Sequence, residues 1–253
     1  MDNVLNITEK TQTDETVEEY EYYSYEPITG TNLNNPGEIR INIETQDLFT
    51  HPSESYLVFD GKLVKNADDT EYANADVIML TNNAMMHLFS NIKYQLSGQE
   101  IESLFHPGQA TTMLGLLKFP DDFLKSTGPN QLWYKDAGTT AHIKNNAGFG
   151  VQQQYIIQKP DPNGTFSFRV PLKHIFGFCD DYEKVVYGLK HQLTLVRKGD
   201  SDAIFKTGAV AAVGDVPAIA EPDDGKGCFD KTLLEYATCD FKFARKTCTL
   251  QNN

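Results

Sequence analysis

From Thr165 to Lys198 the chain reads as two sheet strands separated by a connector. Phe166, Phe168, Val170 and Leu172 alternate with Thr165, Ser167, Arg169 and Pro171, and Leu189, His191, Leu193 and Leu195 alternate with Lys190, Gln192, Thr194 and Val196. A period of two puts one set of side chains on a buried face and the other in water. Half-wet strands belong to antiparallel sheets, whereas the strands of a parallel nucleotide-binding sheet are covered on both faces and apolar throughout. The connector, Lys173 to Tyr187, carries no catalytic constellation.

The same pattern recurs upstream. After Pro36-Gly37, Ile39, Ile41 and Ile43 alternate with Arg40, Asn42 and Glu44, and Leu57, Phe59 and Leu63 share a face of a strand over Tyr56 to Val64. Asp60-Gly61 inside that strand can be a two-residue turn or a bulge, and one long strand is the preferred reading. Leu88, Ile92, Tyr94 and Leu96 mark a third strand, which Ser97-Gly98 turns into Glu100 to Leu104. The period then becomes helical: PGQATTMLGLLK (Pro107 to Lys118) places Ala110, Met113, Leu114 and Leu117 on one face, with proline in the first turn and Pro120 beyond the end. A further turn closes Asp121 to Lys125, residues 136 to 150 read as a long surface excursion, and Gln152 to Gln158 as another strand ahead of the Pro160 to Gly164 turn. Three units result: an arm over 1–35, an all-β antiparallel sandwich with short helical insertions over 36–206, and a tail over 207–253 with no clean period before Cys239, Phe241 and Phe243.

Charge separates the arm from the rest. Residues 1 to 30 hold eight carboxylates against Lys10, a net −7 out of the −13 of the whole chain, around the tyrosine cluster EEYEYYSYEP from Glu18 to Pro27. With so few aliphatic residues the arm is expected to be flexible in isolation, its tyrosines available to dock on a neighbour. No dense Lys/Arg block exists to neutralise phosphates, so direct nucleic-acid binding is not expected. No run approaches the roughly 18 apolar residues of a membrane span. The start, MDNVLNITEKTQTDE, has neither the basic nor the apolar region of a secretory signal, which points to an intracellular location and makes the sequons at Asn6 and Asn163 chance occurrences.

Each enzymatic chemistry needs residues that are missing here. The four cysteines (Cys179, Cys228, Cys239, Cys248) include no CxxC pair, and none of the six histidines (51, 87, 106, 142, 174, 191) has a histidine or carboxylate two positions on, as ligands on one strand face would require. No metal or cofactor is expected. Gly148-Phe-Gly150 and Gly225-Lys-Gly227 are incomplete phosphate loops, and no nucleophile elbow occurs. Glycosidic acid-base work needs two carboxyls facing each other across about 5 to 10 Å, so the adjacent pairs Asp68-Asp69, Asp121-Asp122, Asp180-Asp181 and Asp223-Asp224 read as helix caps and solvated turns. His106 and His174 read as capping or packing residues, and Trp133 as a buried anchor in preference to a sugar-stacking platform. No catalytic, cofactor-binding or metal-binding residue is assigned.

Four segments carry a family resemblance: YLVFDGKLVKNADDTEYANADV, NNAMMHLFSNIKYQLSGQEIESLFHPGQATTMLGLLKFPDDF, NQLWYKD and TFSFRVPLKHIFGFCDDYEKVVYGLKHQLTLVRKGDSDAIF. Together they resemble the double jelly-roll major capsid protein-like family of Maverick/Polinton-type elements and adintovirus-like relatives, from about Glu38 to Lys206. The resemblance implies a structural, non-enzymatic protein. In the family two jelly rolls stand side by side in a subunit, and three subunits form a pseudo-hexagonal capsomer of an icosahedral shell, so homotrimerisation or capsid-like self-assembly and a virion location are implied.

Beyond Phe205 the family pattern gives way to GAVAAVGDVPAIAEPDDGKGCFDKT, so the chain resembles only the first jelly roll, without its closing strand: half of a double jelly roll, either a capsomer subunit or a decayed genomic relic. Losing two large buried side chains with such a strand forfeits roughly 3 to 6 kcal/mol, and an open edge recruits partners. The tail strand near Cys239 to Phe243 is one candidate to fill the gap. A lectin-like β-sandwich binding module around Trp133 is the alternative function.

Overall fold

The structure is a computed structural model that describes residues 17–28, 34, 36–44, 49–65, 70–74, 76, 78–134, 147–158, 164–206 and 225–241. Asn6, Asn163, His142, Cys248, Asp68-Asp69, Asp223-Asp224, the Pro160 to Asn163 part of the expected turn and the rest of the arm, excursion and tail lie outside these residues. The described residues hold eleven strands: β1 (Val17–Tyr25), β2 (Gly37–Ile43), β3 (Phe49–Lys65), β4 (Ile78–Leu80), β5 (Phe89–Leu96), β6 (Gln99–Phe105), β7 (Thr165–Pro171), β8 (Val186–Tyr187), β9 (His191–Arg197), β10 (Ile204–Lys206) and β11 (Gly225–Phe241). Four short helices interrupt them: α1 (Ala84–His87), α2 (Pro107–Lys118), α3 (Ala147–Ile156) and α4 (Gly177–Asp181).

Every strand pairing is antiparallel. One sheet runs β2-β9-β5-β6 and the other β1-β11-β3-β7, with β8 also on β3. The pairings are nested: β2 lies on β9 while β3, the next strand in the chain, lies on β7 and β8, so an antiparallel ribbon rolls over and β9 closes it by pairing with β5 as well. This wrapped ribbon is the jelly-roll arrangement of an all-β sandwich. A small third pair, β4 with β10, ties residues 78–80 to 204–206.

The alternation read from the sequence sets the core. Ile39, Ile41 and Ile43 of β2, Ile92 and Tyr94 of β5 and Leu193 and Leu195 of β9 face Leu57, Phe59 and Leu63 of β3 and Phe166, Phe168 and Val170 of β7 in one buried cluster. The Thr165 block thus crosses from one sheet to the other, and its connector folds into a 3-10 turn, α4 and β8. The strand expected over Tyr56 to Val64 lies within β3, which starts earlier, at Phe49, and runs for 17 residues, and Asp60-Gly61 passes through it without a turn. Ser97 and Gly98, at φ 46° and 83°, form the tight turn between β5 and β6.

Two expectations need correction. Gln152 to Gln158 is not a strand, because α3 covers most of it. Ile156-Ile157 gave a strand-like signal, but the glutamines before them are better helix formers, and a helical turn places Gln152 and Ile156 together on the buried side. Gln152 Nε2 donates to Asn82 Oδ1 at 2.8 Å, and Gln153 Nε2 to the Asp76 carbonyl at 2.6 Å. The absence of a clean period before Cys239 also misled, since β11 runs unbroken through most of that region. Its register on β3 shifts between Phe229 and Lys231, where Asp230 is the extra residue and flips the faces of the rest of β11, and again between Glu235 and Ala237, where the extra residues, Pro52 to Ser55, belong to β3. The second shift lies opposite Pro52, which has no N–H to donate to a ladder.

β11 fills the edge of β3 left open by the nested ribbon, and the tyrosine-rich part of the arm, as β1, pairs with β11 in turn. The arm's composition counts only what the segment could bury by itself; a strand added to a sheet also gains the partner's backbone hydrogen bonds. Removing residues 207–253 is therefore expected to strip β3 of its β11 partner between Phe49 and Lys65 while its pairing with β7 and β8 stays. Circular dichroism melting should show a lower and less cooperative transition and earlier aggregation; equal stability with and without the tail would sink this account.

Candidate assembly surface

The connection between the two strands of the β5-β6 hairpin and β7 holds the surface that stands out chemically. His106 adopts a left-handed conformation, φ 50° and ψ 56°, immediately before Pro107, and α2 then runs to Lys118 and stops at extended Phe119 with Pro120 behind it. Proline at the first helical position and proline after the last are the start and stop signals read in the sequence.

The expected bounds of α2 hold, but its expected face is inverted. The residues turned to the protein are Pro107, Gly108, Thr111 and Gly115. A Cβ on Gly108 would lie 2.5 Å from Cγ of His87, and one on Gly115 2.7 Å from Cζ2 of Trp133, so only glycine permits this approach. The side chain of Asn83, itself left-handed, donates to Thr111 Oγ1 at 2.7 Å and Thr112 Oγ1 at 3.1 Å, while Thr111 donates to the Pro107 carbonyl at 2.6 Å. Small and polar groups thus bind the helix to α1 and Trp133. The apolar stripe faces outward: Leu117 is 88% exposed, Leu116 74% and Phe105, at the end of edge strand β6, 67%, with Met113 and Leu114 also more than half exposed. Periodicity locates an apolar face but carries no sign that says inside or outside. The overlooked signal is the second stripe of Gly108, Thr111 and Gly115, a close-packing face in its own right.

Charge is sparse on this face. Lys118 is the only ionised residue of α2 and is engaged by Asp180 of α4. Glu102 of β6 accepts from the backbone N–H of Gly177 and Phe178 at 3.1 and 3.0 Å, fixing α4 against the hairpin.

The other residues singled out in the sequence are dispersed. Trp133 is 6% exposed and meets Phe119 edge to face at a centroid distance of 5.5 Å, so it offers no stacking platform and the lectin alternative loses its basis. His174 packs on Phe119 and Phe123 and donates from Nδ1 to Gln131 Oε1 at 2.7 Å; burial, with Lys173 and Lys118 nearby, lowers its pKa to about 4. His106 is exposed ahead of α2, His51 donates to the Glu183 carbonyl at 3.1 Å, and burial lowers the pKa of His87 beneath Gly108. Asp121 and Asp122 sit exposed in the turn ahead of the 3-10 turn at Phe123–Lys125, Asp122 without a side-chain cap bond, and Asp180 serves Lys118. The Cys179 thiol is pushed up to about 12 by burial and by Glu102, which keeps it from acting as a thiolate. Among the described residues no three His, Cys, Asp or Glu side chains gather as a metal site, and no helix is long and apolar enough to cross a membrane.

His191 is the buried polar group that joins the two sheets. Thr50 of β3 donates to the Val186 carbonyl at 3.0 Å, so its oxygen accepts from Nε2–H of His191 at 2.8 Å, and Nδ1 accepts from the Tyr94 hydroxyl at 2.7 Å. This chain needs a neutral imidazole, and burial lowers the pKa to about 4.

The double jelly roll-like domain family matches residues 78–219, more than half of the chain, and the protein belongs to that family. The match begins later than Glu38 and continues past Lys206. Among solved structures, a chain of the 3.5 Å cryo-EM structure of the Sputnik virophage superimposes with a TM-score of 0.61 at 9% identity, over 96% of this chain and 52% of that one. The Faustovirus major capsid protein superimposes with a TM-score of 0.53 at 13% identity, over 93% of this chain and 57% of that one. The protein thus spans about half the length of the solved chains it matches. No curated protein matches it in sequence.

Two outcomes follow from this geometry. Gly115→Val should destabilise the fold by about 1 to 3 kcal/mol through overpacking against Trp133, whereas Leu117→Ser should change the unfolding free energy of the monomer by less than about 0.5 kcal/mol; urea unfolding of both variants checks the inverted face. A histidine that titrates near 6.5 when unfolded and near 4 when folded contributes fully above pH 6.5. Below that the unfolded chain takes up a proton the folded one refuses, so stability falls between pH 6.5 and 4, by roughly 3 kcal/mol for His191. His191→Gln should flatten that slope in unfolding at pH 7 and pH 5; an unchanged slope would assign the loss elsewhere.

Proposed function

We propose that the protein is a non-enzymatic structural subunit of a capsid-like shell, encoded by a Maverick/Polinton-type element or surviving as a genomic relic of one. The observation that carries this reading is the rolled antiparallel sandwich over residues that match the double jelly roll-like domain family. Similarity to the Faustovirus major capsid protein and to a chain of the Sputnik virophage supports the same role. An exposed apolar helix on an acidic chain accords with it, because a subunit must keep one patch for its neighbours while repelling them elsewhere.

Self-association, with a homotrimeric capsomer as its form, is the property to test. The purified chain should form oligomers that multi-angle light scattering reads as multiples of three, and negative-stain images should show threefold particles or larger shells. A monomer persisting at high concentration would remove the assembling-subunit reading and leave the relic. The location implied is the virion or assembled shell.

A further inference from the structure

We propose that the outward face of α2, formed by Met113, Leu114, Leu116 and Leu117 and extended by Phe105, docks a second copy of this chain in a two-fold, self-complementary pair. The inference rests on the structural role proposed above and names the partner that its exposed surface takes.

Area argues first. Five large side chains, each more than half exposed, present on the order of 600 Å² of apolar surface, at the upper end of what a monomer leaves uncovered and most of the roughly 800 Å² per partner of a stable interface. Their neighbours on the helix, Gly108, Thr111 and Gly115, are already committed to His87, Asn83 and Trp133, so rotation of α2 cannot hide the stripe without breaking those contacts.

Charge selects the occupant. The chain carries a net charge of −13, so two copies repel over most of their surfaces. On the α2 face that repulsion is weak, because its single ionised residue, Lys118, is engaged by Asp180. A basic partner would find no carboxylate on this stripe, and an acidic one no free cation. Another copy of the same apolar stripe is the complement that the surface itself supplies.

Geometry permits the pairing. Met113 and Leu117 are four residues apart, and so are Ala110 and Leu114, which makes two parallel ridges able to interdigitate with those of a second α2 at a crossing near −50°. An isologous contact of this kind places residues near the axis against their own equivalents.

The test uses the full chain in sedimentation equilibrium over a range of concentrations, with Leu116→Glu/Leu117→Glu and the milder Leu116→Gln/Leu117→Gln. The unmodified chain should show an association step that doubles the mass of the species before it, monomer or trimer, and both variants should raise its dissociation constant at least about 100-fold, the effect of two leucines no longer being buried. Circular dichroism melting at low concentration should not change, since both residues are exposed. In a Leu117→Cys variant, a thiol cross-linker should join Cys-bearing α2 peptides of two copies, as read by mass spectrometry. A monomer at every concentration would overturn the inference, as would a pair whose affinity and cross-links ignore α2. Threefold particles assembled without an α2 contact would overturn it while leaving the capsid-like role intact; pairs that never assemble further would do the reverse.

Discussion

The nested pairing of β2 with β9 and of β3 with β7 and β8 is the constraint on which the rest depends. Because β3 follows β2 directly, holding both against the returning strands forces the ribbon to roll, and rolling turns two amphipathic surfaces toward one another. The isoleucines of β2 then meet Phe59 and Phe168 across a dry interior. Burial of these side chains drives the closure, and the antiparallel ladders satisfy the backbone groups taken out of water with them. His191, Thr50 and Tyr94 add a polar tie across the same gap.

A rolled ribbon has edges, and the ways they are closed explain where β1 and β11 lie. The edge of β3 receives β11, and β1 then covers β11, so segments far apart in sequence extend one sheet. Segments recruited as strands in this way lengthen a sheet through backbone pairing. The link from β6 to β7 is handled differently, with α2 lying on the hairpin through glycines and threonines and its leucines turned out.

That inversion connects fold to role. A buried helix normally spends its leucines on its own core; this one leaves them on the surface of an acidic protein, next to a neutralised lysine. Under the structural role proposed above such an exposure is useful, since an assembling subunit needs apolar area that the monomer does not consume. The dispersed histidines, the buried Trp133 and the inert Cys179 offer no competing chemistry among the described residues.

The strands around Ile41, Phe59, Tyr94, Phe168 and Leu193, the long course of β3, the Ser97-Gly98 turn and the limits of α2 were all legible in the sequence, because each depends on local periodicity or local backbone preference. α3 was not, since a pair of isoleucines after three glutamines fits either element until its neighbours choose. Nor was β11, whose bulge at Asp230 breaks the alternation that would have announced it. Which face of α2 is buried was decided by tertiary structure alone: the apolar stripe and the small-residue stripe both satisfy a helical period, and only the ring of Trp133 and the imidazole of His87, brought up by distant parts of the chain, leave room for one of them.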